Sequence, residues 1–486
     1  MRGRQGILTI VIAVYLTISV TAATPYQNYT YDKSQETQAE PQAYVPVQAV
    51  SGVIAGTIDF SEPQDIFVAE NSNIYIADTG NNRIVVLNKE MHFVQEIKEF
   101  QNNGQIDTFQ KPSGIYVTKE NELYIADTEN QRIVVLQANG SLKKIVGEPK
   151  TLDGELPYTY NPIKIAVDFA DRIYVVSKNC SNGIIEFDKD DSFLGYYGAV
   201  QTQPDLMYLF WKSIATEAQK AAMTLTIPTE YSSLDIDAKS FIYGTVSAID
   251  TDNFSSSMFI HKLNPIGSDV LKRNGFADPM GDVKYIKENE NGIPDISKLC
   301  DVSVQGNGVY SVLDSNKGRV FTYNDAGELL YIYGGIGENL GTFGNPIAID
   351  VTADKHSLVL DSKYNQIVEF KPTEYAKLML QAIQSNAERK YDDAANFWKD
   401  TLKYTSESSV VFKEIGNVYY NQGLYDKAMQ YYKLAYDNAS YSNAYKYWRM
   451  EYLSKNFGIF MTSLIVIIGI LIVIKFILRK RAKERL

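Results

Sequence analysis

The chain has 486 residues, 45% of them hydrophobic and 22% charged, a balance that suits a folded protein of two or more domains and excludes disorder over most of the length. The net charge is −11 at pH 7; the last twelve residues carry +5 and Arg2 and Arg4 carry +2, which leaves −18 on the body between them. Such a body lacks the Lys/Arg phosphate contacts that drive nucleic-acid affinity. Two cysteines, Cys180 and Cys300, exclude a disulfide-rich scaffold and a Cys-based zinc site, and are expected to be separate buried thiols.

Residues 1–23 read as a cleaved signal peptide: Arg2 and Arg4 precede an apolar run from Gly6 to Val20, and small residues follow at Thr21, Ala22 and Ala23. The stretch 24–46 is rich in Gln, Thr, Tyr and Pro with no apolar period, and is expected to be a disordered linker.

Self-similarity organises residues 47–371. Residues 76–87 (IADTGNNRIVVL) recur at 125–136 as IADTENQRIVVL. Pro63, Pro112, Pro162 and Pro346 each open a Pro-x-x-Ile-x-Val pattern, and fifteen residues on stand Asp78, Asp127, Ser177 and Asp361. Leu299 takes the proline's place before Val302, Val304, Asp314 and Arg319, and a weaker copy surrounds Tyr231. The six anchors at 63, 112, 162, 231, 299 and 346 each lead into short β-branched and aromatic runs separated by turn residues. Four short strands per unit, six times over, predict a six-bladed β-propeller. The last unit supplies only three strands, so Val47–Gly56 is expected to complete it and close the ring.

The pairs Asp78/Arg83, Asp127/Arg132 and Asp314/Arg319, with Asp361, bracket the turn between second and third strands. Their recurrence predicts a structural staple, in which the carboxylate accepts backbone N–H groups and the Arg pairs with it; a unique active site would not repeat. These residues resemble the NHL-repeat family, whose members form six-bladed propellers, and the resemblance spans residues 47–371.

The 69- and 68-residue intervals place two inserts on one face, before blades four and five. The first is predicted helical and carries Leu206, Tyr208, Phe210 and Trp211 as candidate binding residues. The second, about 278–297, is polar.

From Thr373 the period becomes helical. Phe412-x-x-Ile415-Gly416-x-x-Tyr419, with Ala428, Tyr432 and Ala435, looks like a tetratricopeptide repeat, and a copy 34 residues earlier carries Ala382, Ala394 and Trp398. Residues 373–456 are therefore expected to form tetratricopeptide-like repeats, ending in a helical stretch from Ser442 to Asn456. Phe457–Leu478 is apolar apart from Lys475 and long enough to span a bilayer. The basic tail 479–486 that follows points to a single-pass cell-membrane protein with an extracytoplasmic body and a cytoplasmic C-terminus.

For chemistry, the resemblance implies a calcium-dependent lactonase-like alternative, since related propellers include metal-dependent lactonases and lyases. Asp65, Asp235, Asp237 and Asp350 stand on first strands, while His92, His261 and His356 do not converge on a zinc site. No nucleophile elbow or phosphate loop is present. The reading these features favour has no catalytic residues and no resident metal or cofactor. It is a membrane-anchored binding or scaffold protein whose partner is a protein, such as a membrane transport or envelope complex. Extracellular carbohydrate recognition through the first insert is a further alternative.

Overall fold

The computed structural model describes residues 24–150, 156, 158–198, 230–246, 259–282, 296–405 and 408–483. Six antiparallel sheets form a β-propeller. Their inner strands are Asp65–Val68, Pro112–Val117, Pro162–Val167, Tyr231–Ile236, Leu299–Gly306 and Pro346–Val351. Second and third strands such as Ile74–Asp78 and Arg83–Leu87 are buried at every residue, because each sheet is covered on both faces by its neighbours. Hence they read as continuous Ile/Val/Leu runs rather than alternating ones. Between blades one and two, for example, Ala77, Ile84 and Val86 pack with Ile115, Ile125 and Val134.

The ring closes through the N-terminus, but the closing strand is Tyr44–Ser51, earlier than the expected Val47–Gly56. It pairs antiparallel with Gln366–Pro372, from Ser51 opposite Gln366 to Tyr44 opposite Pro372. The strand stops there because Ser51 caps a helical turn, Gly52–Ala55, that ends at Gly56 with φ +96°. Blade four has three strands, Tyr231–Ile236, Ile242–Val246 and Ile260–Leu263, among the described residues.

The stretch 24–46 is not a disordered linker. Tyr29–Tyr31 pairs with Thr37–Ala39 in a hairpin, and Tyr29 and Tyr31 are buried beside Leu271 and Met280 of the segment after blade four and Leu329 and Ile332 of blade five. Both hydroxyls donate to Asp282, so the tyrosines bury large rings while their polar tips stay satisfied. Residues 1–23, expected to be a signal peptide, and the first insert, with Leu206, Tyr208, Phe210 and Trp211, lie outside the described residues.

Among the described residues, five helices lie between blade six and the final helix: Glu374–Ala387, Tyr391–Thr401, Ser409–Asn421, Tyr425–Leu434 and Asn438–Lys455. The last begins four residues before the expected Ser442, where the Asp437 carboxylate accepts the Ser440 amide at 2.9 Å and caps it. Gly416 lets two helices approach: a Cβ there would lie 2.7 Å from the Tyr432 ring. Ala428, Ala435, Trp398 and Tyr419 are buried. Phe457–Lys483 is the final helix among the described residues, and within Phe457–Arg481 an 18-residue window has mean hydropathy 2.9 with none of it buried, a candidate membrane span by length and composition.

The helical segment and the propeller share one hydrophobic cluster, in which Tyr44, Tyr331, Tyr333 and Phe370 meet Tyr375, Met379, Trp398 and Ile415. Polar groups fix the docking. Lys413 Nζ reaches Glu328 at 2.6 Å and Asp437 at 3.0 Å, and Asn324 Nδ2 donates to both Glu328 and Glu414. The Tyr375 hydroxyl donates to Glu40. Burial pushes Glu40 up to about 7, against the opposing effect of that hydrogen bond. Burial and the neighbouring Glu328 charge likewise raise Glu414. A carboxyl with a raised folded-state pKa contributes stability that is full below its unfolded value and is lost as pH climbs through the folded value. For Glu40 that window runs from about 4.5 to about 7. The variant Glu40→Gln, whose carbonyl still accepts the Tyr375 hydroxyl, is therefore expected to remove roughly 2–3 kcal/mol of stability loss between pH 5 and pH 8. Denaturant unfolding of the two proteins at both pH values measures this.

Candidate functional site: the propeller channel and its mouth

Each staple carboxylate sits at the end of a second strand and holds the segment leading into its own blade. Asp78 accepts the Ser61 amide at 2.7 Å, Arg83 Nε at 2.6 Å and Asn81 Nδ2 at 2.9 Å. Asp127 repeats this with the Gln110 amide, Arg132 Nε and Asn130 Nδ2 at 2.6, 2.7 and 2.8 Å. Asp361 takes the Gly344 and Asn345 amides, and Asp314 those of Lys298 and Asn316. At Ser177 the hydroxyl oxygen accepts the Asn161 amide at 2.9 Å. In blade five the arginine departs from the expected pairing: Arg319 turns away to Asp282, the residue that holds the N-terminal tyrosines. Pro112, Pro162 and Pro346 begin inner strands, while Pro63 stands two residues before one. Thr79 and Thr128 donate to the Pro112 and Pro162 carbonyls of the next blade, at 2.6 and 2.7 Å.

The inner strands bring together a second set of polar residues. Two positions after the anchors stand Asp65, Gly114, Lys164, Ser233, Asp301 and Ala348; four positions after them, Asp235, Ser303 and Asp350. Lys164 Nζ of blade three spans the channel to Asp65 Oδ1 of blade one at 2.6 Å and to Asp301 Oδ1 of blade five at 2.9 Å. These carboxylates, with Asp235 and Asp350, also clasp neighbouring blades. The Ile115 amide donates to Asp65 at 2.8 Å and the Ile349 amide to Asp301 at 2.7 Å. The Val304 amide donates to Asp235 at 2.7 Å and the Val68 amide to Asp350 at 2.6 Å. Asp237, also expected on a first strand, instead closes the turn that follows it by accepting the Lys239 and Phe241 amides.

Burial governs the electrostatics. It would push the Lys164 ammonium down, but Asp301 and Asp65 more than reverse this and hold it above the ordinary lysine value. Burial raises Asp65 despite Lys164, raises Asp235 to about 7 with help from Asp350, and raises Asp350 to about 6 against its amide bonds. Lys164 lines two cavities, one of about 170 Å³ inside the channel and one of about 460 Å³ at its mouth. It is a cross-brace between them.

Gly114 owes its identity to this packing. A Cβ there would lie 2.4 Å from the Ile163 carbonyl oxygen of the next blade. Gly114→Ala is expected to cost about 1–3 kcal/mol through forced displacement of that strand, read as a lower denaturation midpoint.

A calcium ion does not fit these carboxylates. The position between Asp65 and Asp301 holds an ammonium group, and the remaining lone pairs are largely committed to backbone amides. Among the described residues no three His, Cys, Asp or Glu side chains are arranged to hold a metal ion. His261 and His356 lie apart, each against one carboxylate, Asp269 and Glu369. Cys180 and Cys300 form no disulfide; Cys180 is buried as expected, Cys300 only partly so, and burial raises both thiols.

The family model of the NHL repeat matches residues 109–136, the stretch that forms the first three strands of blade two. That match places an NHL repeat in one blade of the six-sheet propeller. No curated protein sequence matches the chain. Among solved structures it is similar to a streptogramin B lyase, at 13% identity and a TM-score of 0.39 over 71% of this chain and 86% of that one. A virginiamycin B lyase from Staphylococcus aureus gives 9% and 0.41 over 67% and 99%. A gluconolactonase from Xanthomonas campestris gives 10% and 0.39 over 68% and 96%.

Proposed function

We propose that this chain is a membrane-tethered binding or scaffold protein. Its propeller and tetratricopeptide-like helices are the interaction modules, and a protein within a membrane transport or envelope assembly is their partner. The observation that carries this reading is the shared core: propeller and helices are packed as one body, whose last helix runs directly into the apolar segment. Interaction surfaces are then held beside the bilayer at a fixed orientation. The close approach at Gly416 and the aromatic fillers Tyr419 and Tyr432 support the tetratricopeptide-like assignment. Arg479, Lys480 and Arg481, which follow the apolar run Phe457–Leu478, support a cytoplasmic C-terminus and an outward-facing body. The ammonium brace across the channel favours binding over metal-dependent hydrolysis.

Cross-linking in intact membranes, followed by identification of the adducts, tests the proposal. A discrete protein adduct that disappears when residues 373–455 are removed is expected; a chain that stays monomeric under the same treatment counts against it.

A further inference from the structure

The mouth cavity is built from the ring itself. The residues immediately after the six anchors, Gln64, Ser113, Ile163, Ser232, Cys300 and Ile347, all line it, so it is coaxial with the channel and opens on the face of the fourth-to-first connections. Its 460 Å³ is the size of a small-ligand site. Four lysines converge there, Lys111, Lys164, Lys178 and Lys298, against two glutamates, Glu62 and Glu129. Lys164 is engaged by Asp65 and Asp301, and Lys111 lies 3.3 Å from Glu62. Lys178 and Lys298 are exposed, and among the described residues neither side chain has a carboxylate within salt-bridge distance.

A chain whose body carries −18 repels anions at long range. Free ammonium groups gathered at the concave end of its symmetry axis oppose that field where a ligand would enter. Their floor adds apolar contacts, Ile163 and Ile347. We infer that the channel mouth is a binding cup for a small organic anion, whose carboxylate or phosphate group is held by Lys178 and Lys298 above the Lys164 brace. The inference rests on the binding-module reading of the propeller and gives that module a ligand class. Partner capture tests the module and the titration below tests the cup, so either can fail alone.

Calorimetric titration of the full chain in detergent, at low ionic strength, with citrate and with inorganic phosphate as probes, tests the cup. Binding of at least one probe is expected, and the probe that binds distinguishes a carboxylate ligand from a phosphate one. Affinity should fall as salt is raised. The double variant Lys178→Gln/Lys298→Gln should weaken binding about tenfold or more, the scale of one lost charge-assisted hydrogen bond, with an unchanged unfolding midpoint. Binding of neither probe up to about 10 mM, a Kd too weak to specify a site, would overturn the inference. So would a double variant that binds as tightly as the wild type.

Discussion

Lys164→Met is expected to destabilise the propeller by about 3–5 kcal/mol, the cost of leaving a buried carboxylate pair without its cation. Methionine fills much the same volume, so the loss reports the charge rather than a cavity. Asp65 and Asp301 would face each other across the channel with no ammonium between them. The pH dependence gives a second readout. Asp65, Asp235 and Asp350 are all raised by burial. Their contribution in the wild type is full below the ordinary aspartate value of 3.8 and is lost as pH climbs to about 6 for Asp350 and about 7 for Asp235. Without Lys164 the repulsion grows with ionisation, so the variant's deficit should be larger at pH 8 than at pH 5. Urea unfolding followed by near-ultraviolet circular dichroism at both values measures it; a deficit below about 1 kcal/mol, as for a surface pair, would show that the brace does not hold the ring.

Deletion of residues 24–51 is expected to abolish cooperative unfolding and to leave an aggregating chain. Strand Tyr44–Ser51 supplies the outer edge of blade six, and its loss exposes an unpaired strand, Gln366–Pro372, to other copies. The same deletion removes Tyr44 from the core shared with the helices and the Tyr29–Tyr31 contacts on blade five. A milder variant separates edge loss from gross misfolding. Val50 is 3% exposed and pairs with Ile367, so Val50→Asp places an unpaired carboxylate in the core and should cost about 3 kcal/mol or more. Size-exclusion profiles and denaturation midpoints of the two variants, set against the wild type, check both expectations.

The ring was legible because its information is local and repeated. The proline anchors and the Asp-to-Arg spacing recur wherever the same turn must be made, and the missing strand of blade six could be inferred from the repeat itself. The switch to helices at Thr373 showed in the apolar period. The features that were hidden are pairings across long stretches of sequence. The Tyr-rich stretch 24–46 resembles a spacer in composition, and partners some 250 residues away or more, Asp282, Arg319 and Tyr375 among them, explain its order. Lys164 occurs once at a position where other blades carry Asp, Gly, Ser or Ala, so no repeat advertises it. Aligning the second residue after each anchor would have set Lys164 beside Asp65 and Asp301. The glutamates at the propeller–helix junction, Glu328 and Glu414, were invisible for the same reason: neither belongs to a repeat motif.

The most direct test is lysine reactivity on the intact chain, read residue by residue by mass spectrometry after brief acetylation, with and without millimolar calcium. The account predicts that Lys178 and Lys298 are modified rapidly. Lys164 should stay protected in both conditions, because its ammonium is buried between two carboxylates and keeps its proton. Modification of Lys164 at the rate of the rim lysines, or its release on adding calcium, would mean that the channel carboxylates are free to take a metal, and would contradict the assignment of this propeller as a binding module.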